Sequence, residues 1–117
     1  MDNIKELQKK ADSGEASAQY ELGIFYECRG RYDDAMVWLQ KSADQGYDLA
    51  LYQIAVNYEK GLGVSKDYSK AAYYFLLSAE QGFKPSMFEI ATLYEIGKGV
   101  ERSDSNSKYW YDKYYAN

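Results

Sequence analysis

The chain has 117 residues with 18 acidic and 14 basic side chains, a formal net charge of −4, fourteen tyrosines, one cysteine and no histidine. Lack of histidine removes the Ser-His-Asp and Cys-His nucleophiles, the H-E-x-x-H zinc site and the imidazole general base. A lone cysteine makes neither an intrachain disulfide nor a zinc-finger ligand set, and neither a cofactor nor a metal site is read from the sequence.

Residues 1–14 form a half repeat, one helix in which Leu7-Gln8-Lys9-Lys10-Ala11-Asp12-Ser13-Gly14 matches residues 39–46. Three units follow over residues 18–46, 50–82 and 86–117, aligned on Ala18, Ala50 and Ser86 at spacings of 32 and 36. In each unit helix A carries Leu22, Ile54 or Ile90, then the small Gly23, Ala55 or Ala91, then Tyr26, Tyr58 or Tyr94. Gly61-Leu62-Gly63-Val64 and Gly97-Lys98-Gly99-Val100 make the loops of the second and third units. Helix B follows, with Ala35, Ala71 and Ser107 in one column and Trp38, Tyr74 and Trp110 in another. Gly14, Gly46 and Gly82 stand just past each B helix, where a left-handed C-cap favours glycine. The apolar period is helical, and one unit cannot bury its apolar face alone. The expected fold class is all-α, a short right-handed α-solenoid of about seven helices.

These columns resemble the Sel1-like repeat of the tetratricopeptide-like superfamily: Ala-x-x-x-Leu-Gly-x-x-Tyr, Gly-x-Gly-Val-x-x-Asp, then Lys-Ala-x-x-Trp/Tyr-Tyr/Phe-x-x-Ala-Glu-x-Gly. The second unit carries the later part nearly whole, in Gly61, Gly63, Val64, Asp67, Lys70, Ala71, Tyr74, Ala79, Glu80 and Gly82. The third keeps Gly97, Gly99, Val100 and Asp104 and then departs. The first lacks the Gly-x-Gly-Val loop, and its Tyr26, Gly30, Tyr32 and Ala35 look like a shorter tetratricopeptide repeat. In the last helix Tyr115 stands in the column of Ala43 and Ala79, and Tyr114 in that of Ser42 and Ser78. Tyr109, Tyr111, Tyr114 and Tyr115 are either a terminal cap, which repeat arrays need, or an exposed patch for a partner or a second copy.

The resemblance implies a ligand groove lined by helices A. Its columns are Tyr20, Ile24 and Glu27; Tyr52, Val56 and Glu59; and Phe88, Thr92 and Glu95. At about 100° per residue, positions 20, 24 and 27 share one side of the helix, opposite Ala18, Leu22 and Tyr26. The groove is thus expected to hold a ladder of aromatics, small residues and three glutamates in register, the carboxylates accepting Lys or Arg. The three glutamates are equally well read as repeat inheritance on a solvated face. Other features carry less. Cys28 lies beside Arg29 and Arg31 but has no histidine to work with. The Gly-rich loops lack the preceding strand and Gly-Lys-Ser/Thr ending of a phosphate loop. Asp33-Asp34 opens a B helix, where the helix dipole favours carboxylates.

Residues 1–50 hold ten acidic and six basic side chains against eight of each in residues 51–117, so electrostatics favour a basic partner. Basic residues are scattered singly, which argues against nucleic acid. No apolar run nears the roughly 18 residues that span a bilayer, the first residues lack a signal-type apolar core, and an unpaired Cys28 suits the cytoplasm. The function expected is non-catalytic binding of a protein or peptide by a monomer or weak dimer. A bacterial immunity protein that occludes a basic toxin is the favoured special case. An adaptor or scaffold in signalling, protein quality control or host interaction stands beside it. Resemblance also implies an enzymatic alternative, since some secreted, cysteine-rich Sel1-like proteins bind and hydrolyse β-lactams; a fragment of a longer solenoid is a further one.

Overall fold

In the computed structural model, which describes residues 2–116, the chain runs as seven α-helices with no strand among those residues. They are α1 (Asp2–Asp12), α2 (Ala16–Glu27), α3 (Tyr32–Ala43), α4 (Asp48–Lys60), α5 (Tyr68–Glu80), α6 (Lys84–Ile96) and α7 (Asp104–Tyr115). Met1 and Asn117, the outermost positions of the half repeat and the third unit, lie outside the described residues. Helices α2, α4 and α6 are the A helices, and α1, α3, α5 and α7 the B helices. Each packs mainly on its neighbours in sequence, giving a slab of 49 × 32 × 19 Å. This is an all-α solenoid.

The small residue in each A helix sets how closely helix B approaches. A Cβ at Gly23 would lie 2.7 Å from the side chain of Leu39 and 3.3 Å from the Ala35 carbonyl oxygen, so α3 sits directly on the backbone of α2. Ala55 and Ala91, wholly buried, hold the same column in the next two units. Ser42 and Ser78 are buried for a related reason. Ser42 donates to the Ala16 carbonyl oxygen at 2.7 Å and Ser78 to that of Asp48 at 3.0 Å, tying helix B to the first turn of helix A. Those first-turn carbonyls thus gain a second partner without widening the contact.

Three apolar clusters follow one another along the solenoid. The first joins Ala11, Ala18 and Leu22, the second Ala35, Leu39, Ala50 and Ile54, and the third Ala71, Phe75, Ile90 and Trp110. The columned tyrosines bridge them. Tyr58 stacks on Tyr74 with ring centroids 5.9 Å apart and planes 6° from parallel, and both rings pack on the second and third clusters.

The long loops of units two and three reach back onto the preceding unit. Gly63 lies against the Tyr32 carbonyl at the start of α3, and Gly99 against the Tyr68 carbonyl at the start of α5, both at positive φ. Lys98 adds its ammonium 4.2 Å from the centre of the Tyr68 ring. The helices then begin on side-chain caps, Asp67 accepting from the Lys70 backbone N–H and Ser103 from that of Asn106. This corrects one motif position. Ser103, not Asp104, stands in the column of Asp67, because the cap lies outside the helix; Asp104 is already the first residue of α7 and pairs with Arg102 at 3.1 Å.

The terminal tyrosines divide. Tyr114 and Tyr111 lay their rings on Phe88 at 5.1 and 5.4 Å between centroids, closing the end of the third unit as a cap does. Tyr109 and Tyr115 remain exposed, at 53% and 71%. Gly99→Ala should cost about 3 kcal/mol in urea denaturation, because it adds a Cβ against the Tyr68 backbone to the left-handed strain. Gly14→Ala, with open space around its Cβ, should cost only about 1 kcal/mol.

Candidate functional site

The nine expected groove residues lie three each on α2, α4 and α6, yet the three units do not treat them alike. Tyr20 is half-buried with its ring 5.6 Å from that of Tyr47, the residue that opens α4. Tyr52 repeats the contact one unit on, 5.3 Å from Phe83, which opens α6, and also packs on Phe75. These rungs therefore fasten successive units as well as facing outward, and burial pushes both phenols' pKa up. Phe88, exposed at 39%, takes its contacts from the cap tyrosines instead. Ile24 and Val56 are partly buried against the second and third clusters, and Thr92 shares a hydrogen bond with the Tyr111 hydroxyl at 2.9 Å.

The three glutamates differ most. Glu27 is held from α4 by two amides: Asn57 donates to one carboxylate oxygen at 2.6 Å and Gln53 to the other at 3.0 Å. Asn57 is fully buried, and Gln53 also donates to its oxygen at 3.3 Å, so the network is closed. Glu95 accepts from the Tyr111 hydroxyl at 2.9 Å. Glu59 has the other environment. The columns of Gln53 and Asn57 hold Glu89 and Leu93 one unit later, so a carboxylate and an isobutyl group stand where the two amides were. Among the described residues no hydrogen bond reaches the side chain of Glu59 or Glu89. Burial, then the nearby Glu59 charge, raises the Glu89 pKa above the ordinary 4.5, and the charges of Glu89 and Glu59 both bear on Tyr52. Beside this pair opens a hollow of about 670 Å3 lined by Lys84, Pro85, Phe88, Glu89, Tyr114 and Tyr115. Lys84, in the same lining, donates to the Ala116 and Tyr114 carbonyl oxygens at 2.7 and 3.3 Å.

A sequence model of the Sel1 repeat matches residues 16–47, 48–83 and 84–114, three consecutive repeats covering most of the chain. The chain belongs to the Sel1 repeat family. Two solved structures share the fold. One is c5321, a protective antigen present in uropathogenic Escherichia coli strains and displaying an SLR fold, at 32% identity and a TM-score of 0.86 over 95% of this chain. The other is a Sel1 repeat protein from Oxalobacter formigenes, at 30% identity and a TM-score of 0.88, likewise over 95%. The chain spans a quarter of the first protein (25%) and 88% of the second. No curated protein matches the sequence. Sel1 repeats are interaction modules for other proteins, commonly non-catalytic scaffolds. Among this Sel1 chain's described residues there is no grouping of side chains suited to a metal ion, and no helix is long and apolar enough to cross a membrane.

Column-wise comparison of the A helices alone missed Gln53, Asn57, Glu89 and Tyr111. A signal for two of them was present: Asn57 is the one amide in a column otherwise filled by Phe25 and Leu93, and Glu89 departs from Gln53 by one atom type. Glu89→Gln restores the amide of the first junction and should stabilise this Sel1 chain by about 1 kcal/mol in urea denaturation at neutral pH. The pH dependence has a definite sign. With its folded pKa raised, Glu89 holds a proton in the folded state to higher pH than in the unfolded state, so its penalty grows as pH rises above 4.5. Between about pH 7 and about pH 5 the Glu89→Gln advantage should shrink, as urea midpoints across that range will show.

Proposed function

We propose that this Sel1 module is a non-catalytic binding protein that takes a basic segment of a partner on its A-helix side, with the contact centred between the second and third units. One observation carries this: the column pair whose amides hydrogen-bond Glu27 offers Glu59 only a second carboxylate. Two ionised carboxylates side by side are unfavourable in the unbound chain, and a Lys or Arg side chain between them offsets that cost. Tyr52 and Phe88 supply aromatic area next to the pair, and the rings of Tyr114 and Tyr115 line the adjoining hollow, an arrangement suited to an alkyl-ammonium or guanidinium group. Val56 and Thr92 lie between these groups along the helices. Tyr20, Ile24 and Glu27 extend the surface toward the first unit, and Glu95 toward the cap.

The favoured special case is an immunity protein that occludes a basic toxin; the acidic first half of the chain supports it, and protection on co-expression with such a toxin tests it. An adaptor with a basic client uses the same surface. An exposed, unpaired Cys28 supports action in the cytoplasm. The β-lactam activity of disulfide-paired relatives lacks support from a chain with a single cysteine.

A partner isolated on the wild-type chain should lose about tenfold to a hundredfold in affinity against the Glu59→Gln/Glu89→Gln double variant, with a flatter dependence on salt. Glu27→Gln should change affinity much less, its carboxylate oxygens being already hydrogen-bonded within the chain. Unaltered affinity and salt dependence in the double variant sink the proposal.

A further inference from the structure

Six large apolar side chains stand exposed among the described residues, and three of them fall in one column. Val37, Tyr73 and Tyr109 lie 36 residues apart on α3, α5 and α7, and are exposed at 55%, 58% and 53%. Equivalent positions of stacked repeats present to a common side, so the column makes a stripe across the B helices. Tyr73, whose helix has α4 and α6 packed against it, is the most exposed of the three, so the stacking of units does not cover the stripe. The next column turns inward and braces it. Tyr73 sets its ring edge-on to that of Tyr74 at 5.2 Å, and Tyr109 sets its ring edge-on to that of Trp110 at 5.0 Å.

One turn from each stripe residue stands a lysine: Lys41 four after Val37, Lys70 three before Tyr73 and Lys113 four after Tyr109. Each ammonium rests over a ring and not on a carboxylate. Lys41 lies 5.6 Å from the centre of Trp38, Lys70 5.4 Å from that of Tyr58 and Lys113 5.5 Å from that of Tyr109. None of the three joins an ion pair among the described residues. The carboxylates of the same helices are mostly committed. Asp34 pairs with Arg31, Asp104 with Arg102 and Asp112 with Lys108. Asp33 stands in the first turn of α3, where the helix dipole offsets its charge, and Glu80 ends α5 two turns beyond Tyr73. The stripe thus pairs braced apolar side chains with three ammonium groups held only by ring contacts.

We propose that this stripe docks an acidic segment of a partner protein, its apolar or aromatic residues on Val37, Tyr73 and Tyr109 and its aspartates or glutamates on Lys41, Lys70 and Lys113. An ammonium leaves an exposed ring at small cost and gains a charge-assisted hydrogen bond to a carboxylate. Apolar area supplies affinity, and the three charges select the sign of the partner. Single-stranded nucleic acid suits the stripe less, because every nucleotide carries a phosphate and α3, α5 and α7 carry five carboxylates of their own. The chain then joins a basic partner on its A helices to an acidic one on its B helices. Neither surface depends on the other.

The probe comes from a phage-displayed library of random dodecapeptides, panned against the full chain carrying Glu59→Gln/Glu89→Gln so that the acidic pair does not compete. Selected peptides should be rich in aspartate and glutamate around an aromatic residue and, once synthesised, bind in the micromolar range by fluorescence anisotropy. Lys41→Glu/Lys113→Glu should weaken them about tenfold, and the same peptides with lysine for each carboxylate should bind that variant better than the parent. Tyr73→Ser/Tyr109→Ser should cost a similar factor, and peptide-induced amide NMR shifts should concentrate in α3, α5 and α7. Absence of acidic sequences among the selected binders, affinity indifferent to Lys41→Glu/Lys113→Glu, or shifts confined to α2, α4 and α6 each overturn the proposal. So does displacement by an equimolar thymidine oligonucleotide, which assigns the stripe to nucleic acid. A concentration-dependent dimer that Lys41→Glu/Lys113→Glu abolishes assigns it to a second copy and overturns the proposal as well. The reversed pairing gains affinity, so a misfolded variant cannot mimic the result.

Discussion

Backbone-to-side-chain contact at one small residue per A helix governs how this solenoid is assembled. With no side chain at Gly23 and only a methyl at Ala55, helix B of the first two units lies close enough for its buried serine to reach the first turn of helix A. That closeness turns the helix pair into a unit with two apolar sides, one for each neighbour. Everything else depends on those sides being covered: the three clusters, the stacked Tyr58 and Tyr74, and the aromatic contact between each A helix and the residue that opens the next. Stability of this kind is a sum of unit and junction contributions, so a change at one junction alters local strength without redrawing the fold.

The junctions differ in what they do with a buried-edge carboxylate. The first junction hydrogen-bonds Glu27 in a closed amide network, the last ends its glutamate on a tyrosine of α7, and the middle one brings two carboxylates together. Natural sequences break a local rule most often where binding or catalysis needs it broken. Unfavourable charge proximity in the unbound chain is also a reserve that a cationic ligand can release, which is how a small surface gains selectivity for one sign of charge.

Helix number, order and pairing were legible in the sequence, because Ala18, Ala50 and Ser86 and the columns that follow them repeat the same apolar period. Tyr114 stood out in the sequence as a large residue in a column that elsewhere holds serine, whereas Tyr111, in the column of Leu39 and Phe75, did not. The groove was legible only as a side of the helices. Glu27, Glu59 and Glu95 are identical in type and column, and nothing within their own helices separates them. What separates them is the sixth and tenth residues of the next A helix for Glu27 and Glu59, and Tyr111 of the last helix for Glu95, contacts between helices that column-by-column comparison of a single unit does not test. The cap column misled for a simpler reason: serine and aspartate both cap, so Ser103 could replace aspartate at that point while Asp104 lay next to it.

The back-reaching loops give the array a direction. Each clasps the B helix before it, through Gly63 on Tyr32 and Gly99 with Lys98 on Tyr68, and neither clasps the unit after it. Mechanical load or stepwise unravelling is therefore not symmetric along the rod. Peeling the third unit away unfastens the start of α5 in the second, whereas peeling the first leaves the second unit's own clasped helix intact. Opening the stack from either side breaks one such contact, at Tyr32 or at Tyr68, but only opening from the third unit frees the start of a helix in the unit that stays behind.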